Sequence, residues 1–516
     1  MSKPLQSISL NAPGFLGLNT QQDSVNQDNN YCLAADNLVI DKAGRIAARR
    51  GWEYVTTDDV VVNLKDGISY IDESGTVRNI SWSETKFYTG CETLTEITPT
   101  TTDTITSGDW SAAVMNDTDG IHVYFYQKGY HPLALHYDAN DVLTFQKAES
   151  YQHSSGTPPK GGIVTTAFGR TFVADVPDEP LVLYFSDVLG GIKWNTGTAG
   201  VLNLAAVIPD GAGAITGIAE HNGLLVIFLE NHIIMYGDGD NFQATFDVNT
   251  LSLVDVLEGI GCVQHDTIQN VGNDLVFLSL TGLRSFGRTI QEKSLPLRDL
   301  SLNIRDDLIN DLDQQTRSKI RSAYSAEFAF YLLLFPDSKT IYCFDTRQQL
   351  QNGAFRVTRW TGQKHRGLCA HDTNLFFFQE KGVAQYRGYR DNGANYNIRY
   401  RTNYLDFGDA TRLKMLKKLN ITTIGGVGQE LYISPAFDYK EALDPYTYTL
   451  SGSPVFEFNV GEYAVATYST GLSTDNTKAS VGGSGNVLQL QAIAEITGFP
   501  LAIQKVDLFI KQGRVI

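Results

Sequence analysis

The chain has 516 residues and a formal charge of −16, with 41 Lys and Arg against 57 Asp and Glu. Charged residues make up only 19%, while Gly contributes 47, Tyr 25 and Phe 26. This balance suits short strands joined by tight turns and excludes a helical bundle, a coiled coil or a disordered chain. The acidity excludes a protein that reads a nucleic-acid groove through a basic surface.

The first residues show no basic segment leading into an apolar one, so no signal peptide is expected. No apolar run approaches the length of a membrane span. Between residues 13 and 52 the order is an extended arm, a strand, a tight turn at 41–44, and a returning strand that ends in Arg49, Arg50 and Gly51. From there a weak repeat governs the pattern. Small polar turns near 66, 119, 169, 222, 273, 326 and 374 each precede an apolar strand, a second turn and a shorter strand closed by an aromatic. A step of about 50 residues holding several short strands is the size of a propeller blade. One blade cannot bury both its faces, but blades packed in a ring can, leaving only short edges. The spacing therefore predicts a β-propeller of six or seven blades over 55–390; evenly spaced hairpins of an irregular sandwich are the alternative.

Two stretches interrupt the repeat. The Thr-rich segment 93–106 reads as an edge hairpin or a long loop. Residues 301–312 carry Ile304, Leu308 and Leu312 on one helical face, with Asp306 and Asp307 at the positive end of the helix dipole. One short amphipathic helix is expected there. Beyond 391 the composition shifts: residues 1–390 hold a net −15, and residues 391–516 a net −1. The fold class is thus all-β, in three parts: an arm and hairpin over 1–54, the propeller over 55–390, and a β-sandwich platform over 391–516.

Candidate chemistry is sparse. The five cysteines are scattered and suit buried free thiols in a reducing compartment, so a soluble protein made inside the cell is expected. His365, Cys369 and His371 are the nearest approach to a metal spacing and lack a second ligand pair. Residues 237–241 resemble an oxygen-rich calcium loop without its closing Glu. A propeller glycosidase needs two facing carboxylates. Asp66, Asp187 and Asp345 lie near strand ends, but nothing singles out a pair. No catalytic, cofactor or metal residue is assigned and no cofactor is expected.

The stretch Pro13-Gly-Phe-Leu-Gly-Leu-Asn19, Ala34-Ala-Asp-Asn-Leu38, Asp41-Lys-Ala-Gly-Arg-Ile46 and Arg49-Arg-Gly-Trp52 resembles the opening of tail nozzle proteins (tail tubular protein B) of short-tailed bacteriophages. Here Arg50 and Gly51 have no proline between them, a departure from the family's Arg-Pro-Gly end. The helix with Tyr324 to Trp360, and Tyr404-Leu-Asp-Phe-Gly408 with Lys414-Met-Leu-Lys-Lys418, are similar to the family's propeller core and platform. The resemblance marks Asn37, Asp41, Gly44, Arg45, Arg49, Arg50, Trp52, Phe407, Lys414, Lys417 and Lys418 as structural or interface residues. It implies a virion protein assembled in the host cytoplasm, not an enzyme. That protein forms a homo-hexameric ring beneath the head–tail adaptor, docks fibres or spikes, and lets genome DNA through its lumen without specific binding during ejection. The platform would join subunits, and the acidic propeller would form the wall and gate. The alternatives are a glycan-active propeller enzyme and a monomeric protein-binding adaptor.

Overall fold

The computed structural model describes residues 5–24, 27–57, 61–208, 213–238, 251–287, 299–426, 428–440, 442–450 and 474–515. Six antiparallel four-stranded blades surround a common axis. Blade 1 runs Asp66–Ile71, Val77–Trp82, Phe87–Thr89 and Thr95–Ile97; blade 2, Ser111–Asp117, Gly120–Tyr126, Leu133–Tyr137 and Leu143–Lys147. Blade 3 comprises Ile163–Ala167, Arg170–Ala174, Val182–Phe185 and Gly200–Asn203; blade 4, Ile215–His221, Leu224–Leu229, His232–Asp238 and Leu251–Glu258. Blade 5 comprises Arg321–Ser325, Phe330–Phe335, Thr340–Gln349 and Phe355–Trp360. Blade 6 takes Gly367–His371, Asn374–Gln379 and Gly382–Tyr386, and its fourth strand, Trp52–Tyr54, comes from the N-terminal segment. A three-stranded sheet (Gln269–Val271, Asp274–Ser279, Gly282–Ser285) stands between blades 4 and 5.

The expected turns fall between the first and second strands of these sheets, with one offset: in blade 1 that turn spans 72–76, and Asp66 instead opens the inner strand. The ring closes because every seam has its own apolar filling. Trp82, Phe87 and Phe125 fill the seam between blades 1 and 2, and Phe228, Phe277 and Phe286 that between blade 4 and the three-stranded sheet. Leu64, Phe378 and Val383 close blade 6 onto blade 1. The expected helix is present: a 3-10 turn, Leu302–Ile304, runs into the α-helix Arg305–Asp313, and Ile304, Leu308 and Leu312 are all buried. In the Thr-rich segment only Thr95–Ile97 is a strand, at the edge of blade 1.

The platform consists of two sheets facing one core. The first joins Arg412–Gly425 and Leu501–Val515 with Gln6–Asn11, Leu38–Ile40, Ile46–Ala48, Thr474–Ala479 and Ser484–Gly485. The second joins Tyr31–Asp36, Tyr396–Thr402, Leu488–Ile496, Glu430–Phe437 and Tyr446–Thr449, with Gly17–Leu18 at the side. Leu419, Ile421 and Leu508 of the first pack with Tyr400, Ile433 and Leu490 of the second. A parallel pairing of Asp36 with Arg359 makes the second sheet continuous with blade 5. The segments Gln6–Asn11, Gly17–Leu18, Tyr31–Asp36, Leu38–Ile40 and Ile46–Ala48, read from sequence as part of an arm and hairpin, are therefore strands of these two sheets. No helix among the described residues is long and apolar enough to cross a membrane.

Candidate functional site: the ring–platform junction and the hub cleft

The N-terminal stretch acquires its meaning at a corner. Asn37 separates a strand of the second platform sheet from one of the first, and its φ of 56° turns the chain between them. Asn tolerates this left-handed conformation better than most residues. Its side chain is also fully used. Oδ1 accepts from Arg49 Nε at 3.1 Å and from the Thr361 amide at 3.1 Å, and Nδ2 donates to the Asn397 carbonyl at 2.9 Å. The tight turn follows. Asp41 Oδ1 accepts from the amides of Ala43 and Arg45, each at 2.9 Å, and Arg45 Nε returns to Asp41 Oδ2 at 2.5 Å. Gly44 has a φ of +72°, and a Cβ there would meet Pro13 Cβ at 2.6 Å.

Arg49 then enters the junction, 1% exposed. It forms a two-pronged pair with Asp391, Nη1 to Oδ1 at 2.8 Å and Nη2 to Oδ2 at 2.6 Å, and its guanidinium carbon lies 4.1 Å from the Tyr396 ring centre. Burial disfavours its charge, but the Asp391 hydrogen bonds and charge outweigh that and hold its pKa above the ordinary value. Asp391 and Tyr396 lie where blade 6 hands the chain to the platform, so Arg49 fastens one to the other. Arg50 lays its guanidinium over Phe328 at 5.0 Å, and its amide donates to the Tyr386 hydroxyl at 2.9 Å. Trp52 opens the strand that completes blade 6 and meets His365 edge-on at 5.4 Å.

The platform residues separate into distinct roles. Lys414 is fully buried, its ammonium donating to the carbonyls of Arg412 at 3.0 Å, Asn486 at 2.6 Å and Asp409. Burial lowers its pKa, partly offset by the charges of Asp406, Asp409 and Asp438. Phe407, with φ of 54°, packs half-buried on the main core. Lys417 and Lys418 are exposed beside an irregularity in the long strand pair. Asn37, Arg49, Arg50 and Trp52 thus converge on the junction, Asp41, Gly44 and Arg45 form the adjoining turn, and the platform residues lie apart from them.

A second concentration of charge lies at the hub. Arg321, at the start of blade 5's inner strand, reaches Asp66 of blade 1 (Nε to Oδ2, 2.8 Å) and Asp266 beside the three-stranded sheet (Nη1 to Oδ2, 3.1 Å). Burial pushes the Asp66 carboxyl up to about 7 against the pull of Arg321. The other two acids considered from sequence are held elsewhere. Asp187 accepts from Thr198 and Val188, and Asp345 pairs with Arg347 and Arg356. Above Arg321 opens a cleft of about 1330 Å³ spanning blades 5, 6 and 1 and lined by eight Lys or Arg and five acids.

His365 lies beneath that cleft, stacked on Phe377 at 4.0 Å. Its Nε2 meets Gln363 Oε1 and its Nδ1 meets Gln379 Nε2, each at 2.9 Å. These partners fit a neutral ring with hydrogen on Nε2. Burial, reinforced by the Arg49 charge, pushes its pKa well below the ordinary value. His365, Cys369 and His371 form no metal centre, and no group of three His, Cys, Asp or Glu among the described residues is placed to hold an ion. All five thiols are free. In the segment 237–241, residues 239–241 lie outside the described residues.

Sequence reasoning missed Asp391, Arg321 and the basic cleft. The first two are single polar residues whose partners are remote in sequence: Arg49 for Asp391, and Asp66 and Asp266 for Arg321. The cleft had a readable signal, an acid followed by Lys in the turns at 84–86, 337–339 and 380–381, visible only once the blades are in register.

No family model matches the chain, and no curated protein sequence matches it. Among solved structures it is similar to PorZ, a surface component of the type-IX secretion system of Porphyromonas gingivalis, with 12% identity and a TM-score of 0.36 over 64% of this chain and 37% of that one. The chain thus spans little more than a third of PorZ. It is similar to an inactive virginiamycin B lyase from Staphylococcus aureus with 11% identity and a TM-score of 0.26, over 74% and 99% of the two chains. For the exo-β-1,3-galactanase of Phanerochaete chrysosporium the values are 7% and 0.29, over 92% and 100%. These likenesses carry no functional argument, and the propeller is read from this chain's own sheet order.

Proposed function

We propose that this chain is a structural subunit of the distal tail tube, or nozzle, of a short-tailed bacteriophage, assembling as a hexameric ring through which DNA leaves the particle. The observation that carries this reading is the role of residues 31–52. The segment bearing the family resemblance is the one that welds propeller to platform, through the Asn37 corner and the Arg49–Asp391 pair. A subunit that bears load along a tube needs its two parts to move together, and this junction supplies a continuous sheet and a buried ion pair for that purpose. The platform's edge strands, Tyr446–Thr449 and Thr474–Ala479, and exposed Lys417 and Lys418 are the surfaces offered to neighbouring subunits, adaptor and fibres. A net charge of −16 per copy, multiplied around a ring, would repel phosphates from the wall and let DNA slide.

Light scattering on the eluting protein and negative-stain microscopy test the proposal. Closed rings of six copies are expected, and virions lacking the protein should lose their DNA. A strictly monomeric protein that releases reducing ends from host-surface glycans would overturn the reading in favour of an enzyme.

A further inference from the structure

Alternation of strand direction fixes which loops share a face of the ring. In each blade the turn between the second and third strands lies on the same face as the linker entering the next blade. On that face, blades 1, 5 and 6 repeat one chemistry. Their second turns carry Lys86, Lys339 and Lys381, each just after an acid, and the linkers entering blades 1 and 6 carry Lys65, Lys364 and Arg366. All six line the 1330 Å³ cleft. The equivalent turns of blades 3 and 4 carry Asp175, Asp178, Glu179 and Glu230 instead. One face of a strongly acidic ring is therefore polarised, with a basic concave sector opposite an acidic one.

We propose that the basic cleft binds a phosphodiester chain. Lys339 and Lys364 are exposed, and Arg366, near the Glu84 charge, donates from its guanidinium to the neutral Asn63 side chain at 3.1 Å. The pair Lys86–Glu96, at 2.8 Å, is solvent-facing and yields readily to a competing anion, while half-buried Lys65 is held by Glu84 at 2.9 Å. Half-buried Trp52 and Tyr54 line the same cleft and offer ring surface to bases, the combination that single strands use. Concavity favours this occupant over the acidic sector of a second copy, which consists of short turns on a blade face. The inference does not rest on the tail reading: a protein that fails to form rings would still be expected to bind here.

The test is fluorescence anisotropy of the full chain with a labelled 20-nucleotide oligothymidylate, a duplex of equal length, and inorganic polyphosphate as competitor, between 50 and 200 mM salt. Binding of the single strand is expected to weaken at least tenfold in the triple variant Lys339→Asn, Lys364→Ala, Arg366→Ala. Its salt slope should become shallower by about 2, at roughly 0.7 per lost phosphate contact. Asn is chosen at 339 because that residue has a φ of 55°. Lys440→Ala, on the exposed platform surface, should leave binding unchanged. Preference for the single strand over duplex and polyphosphate assigns part of the affinity to base stacking, whereas equal binding of all three assigns it to phosphate alone; both support the cleft. No binding at 50 mM salt, binding unaffected by a triple variant whose melting temperature matches the parent, or salt-sensitive self-association in place of oligonucleotide binding would each overturn the proposal.

Discussion

Arg49 carries a permanent charge into the junction and finds one carboxylate, one amide oxygen, one carbonyl and two aromatic rings, Tyr396 and Trp360, there. Removing one partner of such a pair leaves the other desolvated and alone, at a cost of about 3–5 kcal/mol. Arg49→Ala should lower the urea midpoint accordingly. Arg49→Lys should recover little of the loss, because a single ammonium cannot reproduce the two-pronged geometry. His365 gives a pH signature. Its unfolded pKa is near 6.5 and its folded value lower, so below pH 6.5 the unfolded chain binds the extra proton. The His365 contribution is thus fully present above pH 6.5 and is lost as the pH falls toward the folded value. Asp66 acts in the opposite sense. Raised to about 7, it holds a proton in the fold that the unfolded chain releases above about 4, so its contribution is lost as the pH rises to 7. Between pH 7 and 5 the two oppose each other. In His365→Gln, melting temperature should therefore rise more, or fall less, on acidification than in the parent; superimposed profiles would remove His365 from this account.

At the level of elements, blade 6 depends on a strand brought from residues 52–54, and the approach to that strand is tight. A Cβ on Gly51 would meet the Arg390 carbonyl oxygen at 1.9 Å, and the Gly51 amide donates to the Gly388 carbonyl at 2.9 Å. The obstacle is backbone, which cannot swing aside. Gly51→Ala should cost at least about 1–3 kcal/mol, read from chemical denaturation. The blades themselves were legible because each is local. An Asn-Gly or similar turn, an apolar strand and a closing aromatic lie within some twenty residues, and alternation fixes which side chains face the seams. The helix was legible for the same reason, with Ile304, Leu308 and Leu312 on one stripe. The closing strand was not. Trp52 pairs with Tyr386 across more than three hundred residues, and a three-residue strand has no periodicity to read. Lys414 shows the same limit: in sequence it is one of a basic cluster, and only the carbonyls folded around it distinguish it from exposed Lys417.

For the whole molecule, net charge predicted the average and missed the arrangement, because a sum of −16 is compatible with a basic sector on one face. The platform is equally non-local. Gln6–Asn11 pairs along its length with the last long strand, from Gln6 opposite Ile510 to Asn11 opposite Lys505, and Leu10 is buried between the sheets. Deleting residues 1–11 should expose a sheet edge, lower the melting temperature and cause concentration-dependent aggregation, measurable by turbidity on heating. The same pairing constrains biosynthesis. The strand at residues 6–11 must wait for a partner made nearly five hundred residues later, a delay on the order of 25–100 s at usual translation speeds. During that interval the ring of blades can form, but the nascent chain still presents an unfinished edge. Chaperone demand should therefore fall once residues 505–510 have emerged and the two distant strands are knitted into one sheet.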